Sequence, residues 1–452
     1  MGRDVSHKGW RIPQPLLLVL SWVALILVGT IALHAPSSLA EGPIAWLDAL
    51  FTSTSAVCVT GLSTINVGQQ LSPFGQTCLL ALIQIGGLGI STVSTLVLLM
   101  AGQRSLAGEN EAASALAGVH ISTKRLVFFA IATTVIAESI GAFFLSMRFR
   151  GEDAVWSSVF HSISAFCNAG FSLNSDSLTG YVGDVRVNAI IGSLIALGGI
   201  GFISMHQFGA WVNARRRGQR QPIFLHLRVV LLASATLWVL AAGVFLFFEY
   251  NNSLSQMPFG EKLLASMFQS VTTRTAGFNT IDFASLREPT LLATMLFMLI
   301  GAAPGSCAGG IKVTTMVVIL AAVRARVRGL KNVSLFSRMV PRPIVARAFY
   351  IATFSILFLG LVIMALVITE EMAPTAGIRG DRLTTLAFEA YSAFATVGLS
   401  TGVTPDLSSA GKLIIIITMF VGRLGPLALA MAVFAPKTVP KYEFPKEDLA
   451  VG

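Results

Sequence analysis

The chain has 452 residues, of which 54% are hydrophobic and only 12% are charged. A soluble domain carries about 25% charged residues, so this composition excludes an ordinary soluble protein and indicates one that lies in a membrane. A formal net charge of +10 is compatible with nucleic-acid binding or with basic cytoplasmic loops, and the positions of the charges distinguish the two.

Apolar segments of the length needed to cross a bilayer, about 20 residues, recur along the whole chain. We predict spans at 15–33, 74–100, 126–147, 189–211, 229–250, 291–323 (interrupted), 344–369 and 413–434. This pattern predicts an all-α integral membrane protein that crosses the cell membrane several times.

Lysine and arginine cluster at both ends of the chain and in alternate loops between the predicted spans. The clusters lie at 3–11, 104–125, 215–228, 324–347 and 437–446. Because basic loops stay on the cytoplasmic side of a membrane, we predict that these loops and both termini are cytoplasmic. Membrane topology thus explains the positive charge, and no nucleic-acid partner is expected.

A short motif that ends in glycine and an apolar residue occurs four times between the predicted spans. The copies are SAVCVTGL at 55–62, SAFCNAGF at 164–171, VTTRTAGF at 271–278 and SAFATVGL at 392–399. Each follows a segment predicted to be a helix too short to cross the bilayer, at 46–56, 156–166, 261–271 and 382–394. Such a helix must enter the membrane and return, which is tolerated only where its end is buried in protein or lines a cavity.

The order of segments therefore predicts four repeats of an outer helix, a re-entrant short helix, a glycine loop and an inner helix. Four such repeats in one orientation can surround one pore with pseudo-fourfold symmetry. The predicted repeats are 14–104, 122–218, 224–330 and 342–436, and a cytoplasmic tail follows at 437–452.

Four glycine loops around one axis would present main-chain carbonyl oxygens to a dehydrated cation, which is how potassium is selected. Glycine permits the backbone geometry that turns these carbonyls inward. The candidate potassium ligands are the main-chain oxygens of Val59, Thr60, Gly61, Asn168, Ala169, Gly170, Thr275, Ala276, Gly277, Thr396, Val397 and Gly398. No cofactor is predicted, and potassium is the transported ion, held by backbone carbonyls alone.

The predicted inner helices carry glycine near their middles. The positions include Gly86, Gly198, Gly301 and Gly422. Glycine in a membrane helix most often marks close helix packing. Its recurrence at a similar distance after each filter glycine predicts a bend or packing position shared by all four helices.

The four motifs resemble the filter loops of the Trk/Ktr/HKT potassium transporters. The stretch GAAPGSCAGGIK at 301–312 resembles the intramembrane loop of that family. Since one span precedes the first motif, the chain is most similar to the Ktr branch. The resemblance implies potassium uptake with sodium as a coupling or activating ion, a homodimer, and gating by a cytoplasmic nucleotide-binding ring (KtrA-like).

The third inner segment holds four glycines and a proline within 301–310, which argues against a continuous helix. The resemblance implies a movable gate below the filter, and a static kink is the alternative. The residues assigned to this gate are Gly301, Pro304, Gly305, Ser306, Cys307, Gly309 and Gly310.

Arg423 lies in the middle of the last predicted span. Facing lipid it would cost at least about 2.5–3.5 kcal/mol. We predict that it faces the cavity below the filter, near the third-repeat loop, where its charge would impede cations. The alternative is a packed ion pair with Glu138.

Arg274 interrupts the fourfold pattern, because Cys58, Cys167 and Ala395 occupy the matching positions. A cation inside a potassium filter would defeat it, so the side chain is predicted to point behind the loop. Glu389 is a candidate partner. A solvated arginine at the outer mouth is the alternative.

Other classes of function fit the sequence less well. A membrane-embedded enzyme would need reactive side chains clustered at one depth, and the six histidines are widely scattered. An inverted-repeat transporter would need repeats of opposite orientation, whereas the four predicted repeats share one. Within the resembled family, a TrkH-like or HKT-like potassium/sodium transporter is the alternative.

Overall fold

The computed structural model describes residues 14–88, 123–372 and 381–425, and helices dominate these ranges. Both termini and the tail predicted at 437–452 lie outside the described residues. So do the ends of the spans predicted at 74–100 and 413–434.

Four long helices correspond to the predicted outer helices. They are Gln14–His34, Thr123–Ser146, Leu225–Glu249 and Arg342–Met372. Large apolar side chains such as Phe128, Val239 and Phe247 are exposed on them, as expected of a surface that contacts lipid. Within the described ranges, the last three contain apolar stretches long enough to cross a membrane.

Four short helices begin and end within two residues of the predicted bounds. They are Trp46–Val57, Ala154–Phe166, Phe259–Thr272 and Arg382–Ala395. Each packs against the outer helix that precedes it, and each buries its C-terminal end. Asp381 caps the fourth by accepting a hydrogen bond from the Thr384 N–H at 3.1 Å, as carboxylates do at helix N-termini.

The inner segments are Pro73–Gly87, Val185–Ile200 with Phe202–Arg216, Glu288–Leu299 with Val313–Val327, and Ser409–Leu424. The interruption of the third inner segment, between Leu299 and Val313, was predicted. The continuous span predicted at 189–211 is wrong, because the chain bends by 94° at Gly201. Gly201 has a φ of 83°, and the Phe202 N–H donates to the Gly305 carbonyl at 3.1 Å instead of continuing the helix.

Glycine permits close packing between three inner helices and the short helices. A side chain there would collide with a carbonyl oxygen in the last turns of a short helix. The pairs are Gly86 with Val57, Gly198 with Phe166, and Gly422 with Phe394. Gly301 differs, because a side chain on it would meet the Gly309 carbonyl of its own segment. The shared role of these glycines is therefore packing in three of the inner segments.

The inner helices also connect neighbouring segments of the fold. The first packs against the second short helix, the second against the third, and the third against the fourth. The fourth inner helix packs against the first short helix. The helices therefore close into a cycle.

Smaller elements lie in the connections. They are the helix Val67–Gln70, 3-10 turns at Pro36–Ser38, Thr179–Tyr181, Phe283–Ser285 and Thr404–Asp406, and strands Ser334–Leu335 and Arg338–Met339. The two strands form an antiparallel hairpin in which Ser334 pairs with Met339. The Arg228 guanidinium lies 4.2 Å from the centre of the Phe336 ring at its turn.

Candidate functional site

The four glycine loops share one uncommon backbone conformation. The first residue of each triad is left-handed, with φ of 55° at Val59, 59° at Asn168, 75° at Thr275 and 50° at Thr396. The glycine two residues later also has a positive φ in each loop. Non-glycine residues rarely adopt this region, and they remain in it only where the surroundings dictate it.

The loops contact one another in cyclic order. A side chain on each filter glycine would lie within 3.0 Å of a carbonyl oxygen in the next loop. The contacts run from Gly61 to Ala169, from Gly170 to Ala276, from Gly277 to Val397 and from Gly398 to Thr60. The candidate ligand residues of all four loops therefore meet in a closed ring that leaves no space for side chains at its glycines.

A hydroxyl near the start of each motif fixes the loop from behind. Ser55 and Ser392 accept hydrogen bonds from the N–H groups of Gly61 and Gly398, at 3.0 and 3.1 Å. In the other two loops the hydroxyl donates to a carbonyl, from Ser164 to Phe171 at 2.8 Å and from Thr272 to Phe278 at 2.6 Å. These hydroxyls support the loops without occupying the ring.

A second set of polar contacts joins three short helices to the chain beyond the filter. The pairs are His161 with Ser172, Gln269 with Thr280, and Glu389 with Ser400, eleven positions apart in each case. His161 is buried, and its Nε2 lies 2.9 Å from the Ser172 hydroxyl, so this histidine has a packing and hydrogen-bonding role. Sequence reasoning missed the partners, although the shared separation was a usable signal.

A polar cavity of about 400 Å³ opens on one side of the ring. All four filter glycines line it, together with side chains such as Asn66, Asn174, Asn279 and Asp282. The ring therefore has an accessible vestibule on one side.

The segment at 300–312 breaks the third inner helix and folds back on itself. The Gly301 N–H donates to the Ile311 carbonyl at 2.8 Å, and the Val313 N–H donates to the Ala302 carbonyl at 3.1 Å. These bonds close the two ends of the segment together. We call 300–312 the intramembrane loop.

The rest of the intramembrane loop contacts the second inner helix and the fourth filter loop. Ala303 and Cys307 donate N–H bonds to the carbonyls of Gly199 and Gly198, at 3.1 and 3.3 Å. Gly309 packs against the Thr396 side chain so closely that a Cβ would not fit. The loop therefore touches the filter directly.

Arg423 donates hydrogen bonds to the carbonyls of Cys307 and Gly86. It does not pair with Glu138, whose carboxylate instead accepts a bond from the Gln84 amide at 3.2 Å. Arg423 therefore lies next to the third-repeat loop, as predicted, and the predicted ion pair with Glu138 is wrong. That Arg423 faces a cavity below the filter stays a prediction.

The guanidinium of Arg423 joins the first inner segment to the third. Its two acceptors are the Gly86 carbonyl of the first and the Cys307 carbonyl of the third. The neighbouring Gly422 packs on the Phe394 carbonyl, so Arg423 lies level with the C-terminal end of the fourth short helix. The negative ends of helix dipoles favour a cation at such a place, and here the guanidinium occupies it.

Arg274 is 4% exposed and points behind the filter, as predicted. Its Nη2 donates to the Gly301 carbonyl at 3.2 Å, and its Cζ lies 5.8 Å from the centre of the Trp238 ring. The predicted partner Glu389 is wrong, because that carboxylate accepts bonds from the hydroxyls of Ser400 and Thr404.

Comparison with known proteins identifies the family. The family model TrkH, described as a cation transport protein, matches residues 14–443. The chain is 39% identical to Ktr system potassium uptake protein B of Bacillus subtilis, covering 100% of this chain and 99% of that protein. It is 37% identical to the protein of the same name from Vibrio alginolyticus, covering 100% and 96%.

A third relative is potassium/sodium uptake protein NtpJ of Enterococcus hirae, 35% identical over 98% of both chains. The crystal structure of the potassium transporter TrkH from Vibrio parahaemolyticus has a TM-score of 0.71 at 19% identity, covering 95% of this chain and 86% of that chain. That likeness shows the fold alone. The resemblance noted from the glycine motifs is confirmed, and the chain belongs to the TrkH family of cation transport proteins, which are integral membrane transporters and not enzymes.

Proposed function

We propose that this chain takes up potassium across the cell membrane through a selectivity filter formed by the carbonyls of its four glycine loops. The observation that carries the proposal is the closed ring of loops with one shared left-handed backbone. Carbonyl oxygens in such a ring replace the hydration shell of potassium. The proposed ligands are the main-chain oxygens of the triads at 59–61, 168–170, 275–277 and 396–398.

The names of the relatives support potassium as the cargo. Two are potassium uptake proteins of Ktr systems and one is a potassium/sodium uptake protein. We infer that sodium acts as a coupling or activating ion. The word "system" also supports a separate regulatory component, for which we propose a KtrA-like nucleotide-binding ring on the cytoplasmic side of a homodimer.

The intramembrane loop and Arg423 form the proposed gate. The guanidinium joins Cys307 to Gly86, so opening a path along the axis requires it to leave at least one of these carbonyls. The loop residues assigned to the gate are Gly301, Pro304, Gly305, Ser306, Cys307, Gly309 and Gly310. Both termini and the three basic loops at 104–125, 215–228 and 324–347 face the cytoplasm in this proposal.

Potassium uptake into cells that lack their own potassium transporters tests the function. Cells that express this chain with its regulatory partner should accumulate potassium from low external concentrations, and more so when sodium is present. Uptake that is independent of sodium would favour the TrkH-like alternative. A correctly inserted protein that takes up no potassium would contradict the proposal.

A further inference from the structure

Arg274 has the longest of the four side chains at its position, and it donates a hydrogen bond to a carbonyl outside its own filter loop. It immediately precedes Thr275, the left-handed first residue of the third triad. The matching residues in the other loops are Cys58, Cys167 and Ala395, whose side chains are much shorter. A displacement of the Arg274 side chain would therefore act directly beside the backbone that orients the carbonyls of the triad at 275–277.

The other end of this contact lies at the base of the intramembrane loop. Gly301 accepts the Arg274 bond through its carbonyl and donates its N–H to Ile311. A parallel bridge joins Ile300 and Ile311 at the same place. Any rearrangement that separates the two ends of the loop must therefore move the acceptor of Arg274.

The hydrogen bond replaces a contact that the other three inner segments make by packing. In those segments a glycine lies against a short-helix carbonyl, whereas Gly301 has no such partner. Packed glycines fix the distance between two elements. A single hydrogen bond from a long side chain can break and re-form. The connection between the third filter loop and the third inner segment is therefore the one suited to change when the intramembrane loop rearranges.

The guanidinium has no ion pair among the described residues, and its Nε has no hydrogen-bond partner there. Burying a charge without a counter-charge is unfavourable. Among the described residues, the Gly301 carbonyl is the one hydrogen-bond acceptor of the Arg274 side chain, and the Trp238 ring lies beside its guanidinium.

We propose that Arg274 is a positioning residue that transmits the arrangement of the intramembrane loop to the third filter loop, so that ion selectivity depends on the state of the loop. This inference rests on the proposed function. Arg274 itself contacts no ion, and it acts through the main-chain carbonyls of the triad at 275–277.

A double-mutant cycle tests the coupling. Arg423→Gln releases the tip of the loop, and Arg274→Met removes the donor at its base. Purified protein in liposomes gives the potassium-to-sodium permeability ratio and the potassium flux for the wild type, both single variants and the double variant. We expect Arg423→Gln to change the ratio at least about fivefold, a typical size for coupling between sites, and to leave it unchanged when Arg274→Met is present.

Two further variants sharpen the result. Arg274→Lys keeps a donor and should restore the dependence on Arg423, whereas Cys58→Ala, at the matching position of the first loop, should leave the dependence intact. Arg274→Gln repeats the cycle if Arg274→Met does not fold. Failure of both to fold would make Arg274 a structural residue and overturn the proposal.

Additive changes in the ratio would also overturn the proposal while leaving the potassium pore in place. A wild type with no preference for potassium would instead contradict the proposed function. The two failures are therefore distinguishable in one set of measurements.

Discussion

Arg423 joins the first inner segment to the intramembrane loop, which touches the ring of glycine loops. Its position in the sequence showed that lipid exposure was too costly, but left two placements open. The choice depends on the reach of the side chain and on the carbonyls that other parts of the chain bring near it. Those are properties of the folded structure.

Replacing Arg423 with glutamine should increase potassium flux per molecule and leave protein yield nearly unchanged. The guanidinium bonds to two carbonyls, so its loss leaves no buried carboxylate without a counter-charge. Flux in liposomes and yield after size-exclusion chromatography should be measured on the same preparation. Poor yield with unimproved flux would instead indicate that the two hydrogen bonds of Arg423 are needed for folding and do not gate the path.

Gly198→Ala should destabilise the protein by about 1–3 kcal/mol, as overpacking does. A methyl group there would collide with the Phe166 carbonyl. Gly192→Ala on the same helix is the matched control, since nothing lies within 4 Å of its added Cβ. Thermal unfolding in detergent should show a lower midpoint for the first variant, and equal midpoints would refute the packing role.

Arg274 shows where residue-level reasoning fails. Its direction behind the loop followed from the requirement that a potassium filter contain no fixed cation. The hydrogen-bond partner of Arg274 could not be predicted in this way. The carboxylate of Glu389 already accepts hydrogen bonds from the hydroxyls of Ser400 and Thr404, which follow the fourth filter loop in the sequence. Opposite charges on neighbouring repeats were therefore a weak guide to pairing.

At the scale of the elements, hydrophobicity and length located the outer and short helices to within a few residues. The bend at Gly201 was not predicted, because its cause is distant in sequence. The Gly305 carbonyl of the intramembrane loop accepts the Phe202 N–H. Local propensity contains no information about such a partner.

Asp184 caps the second inner helix, and replacing it should lower the stability of the protein by a measurable amount. It accepts bonds from the N–H groups of Arg186 and Val187 at 2.9 and 3.2 Å, and it pairs with Arg148. Asp184→Ala should cost about 1 kcal/mol, a typical value for an N-cap. Asp184→Asn should cost less, since its amide oxygen still accepts from the helix.

The same carboxylate predicts a pH effect. Burial would raise the pKa of Asp184, but the hydrogen bonds from Arg148 and the backbone lower it overall. A lowered folded-state pKa gives stability that is present above the unfolded value, about 3.9, and is lost as the pH falls through the folded value. Unfolding midpoints should therefore fall less on acidification in Asp184→Asn than in the wild type, and an equal fall would contradict this role.

At the scale of the whole molecule, contacts close the chain into a cycle. Lys412 on the fourth inner helix forms an ion pair with Asp48 on the first short helix, at 2.9 Å. The filter loops repeat the same order around the axis. Four similar motifs in one chain predicted this arrangement, whereas the connection of the filter to the intramembrane loop through Thr396 and Arg274 required the structure.

We propose that the four loops act together as one potassium filter. The most direct test is the potassium-to-sodium permeability ratio in liposomes for four single variants and one control. The variants are Gly61→Ser, Gly170→Ser, Gly277→Ser and Gly398→Ser, and the control is Gly180→Ser in a connection where nothing lies within 4 Å of the added Cβ. We expect a lower permeability ratio in all four variants and an unchanged ratio in the control, because each filter side chain would displace a neighbouring carbonyl. Wild-type selectivity in all four folded variants would contradict it.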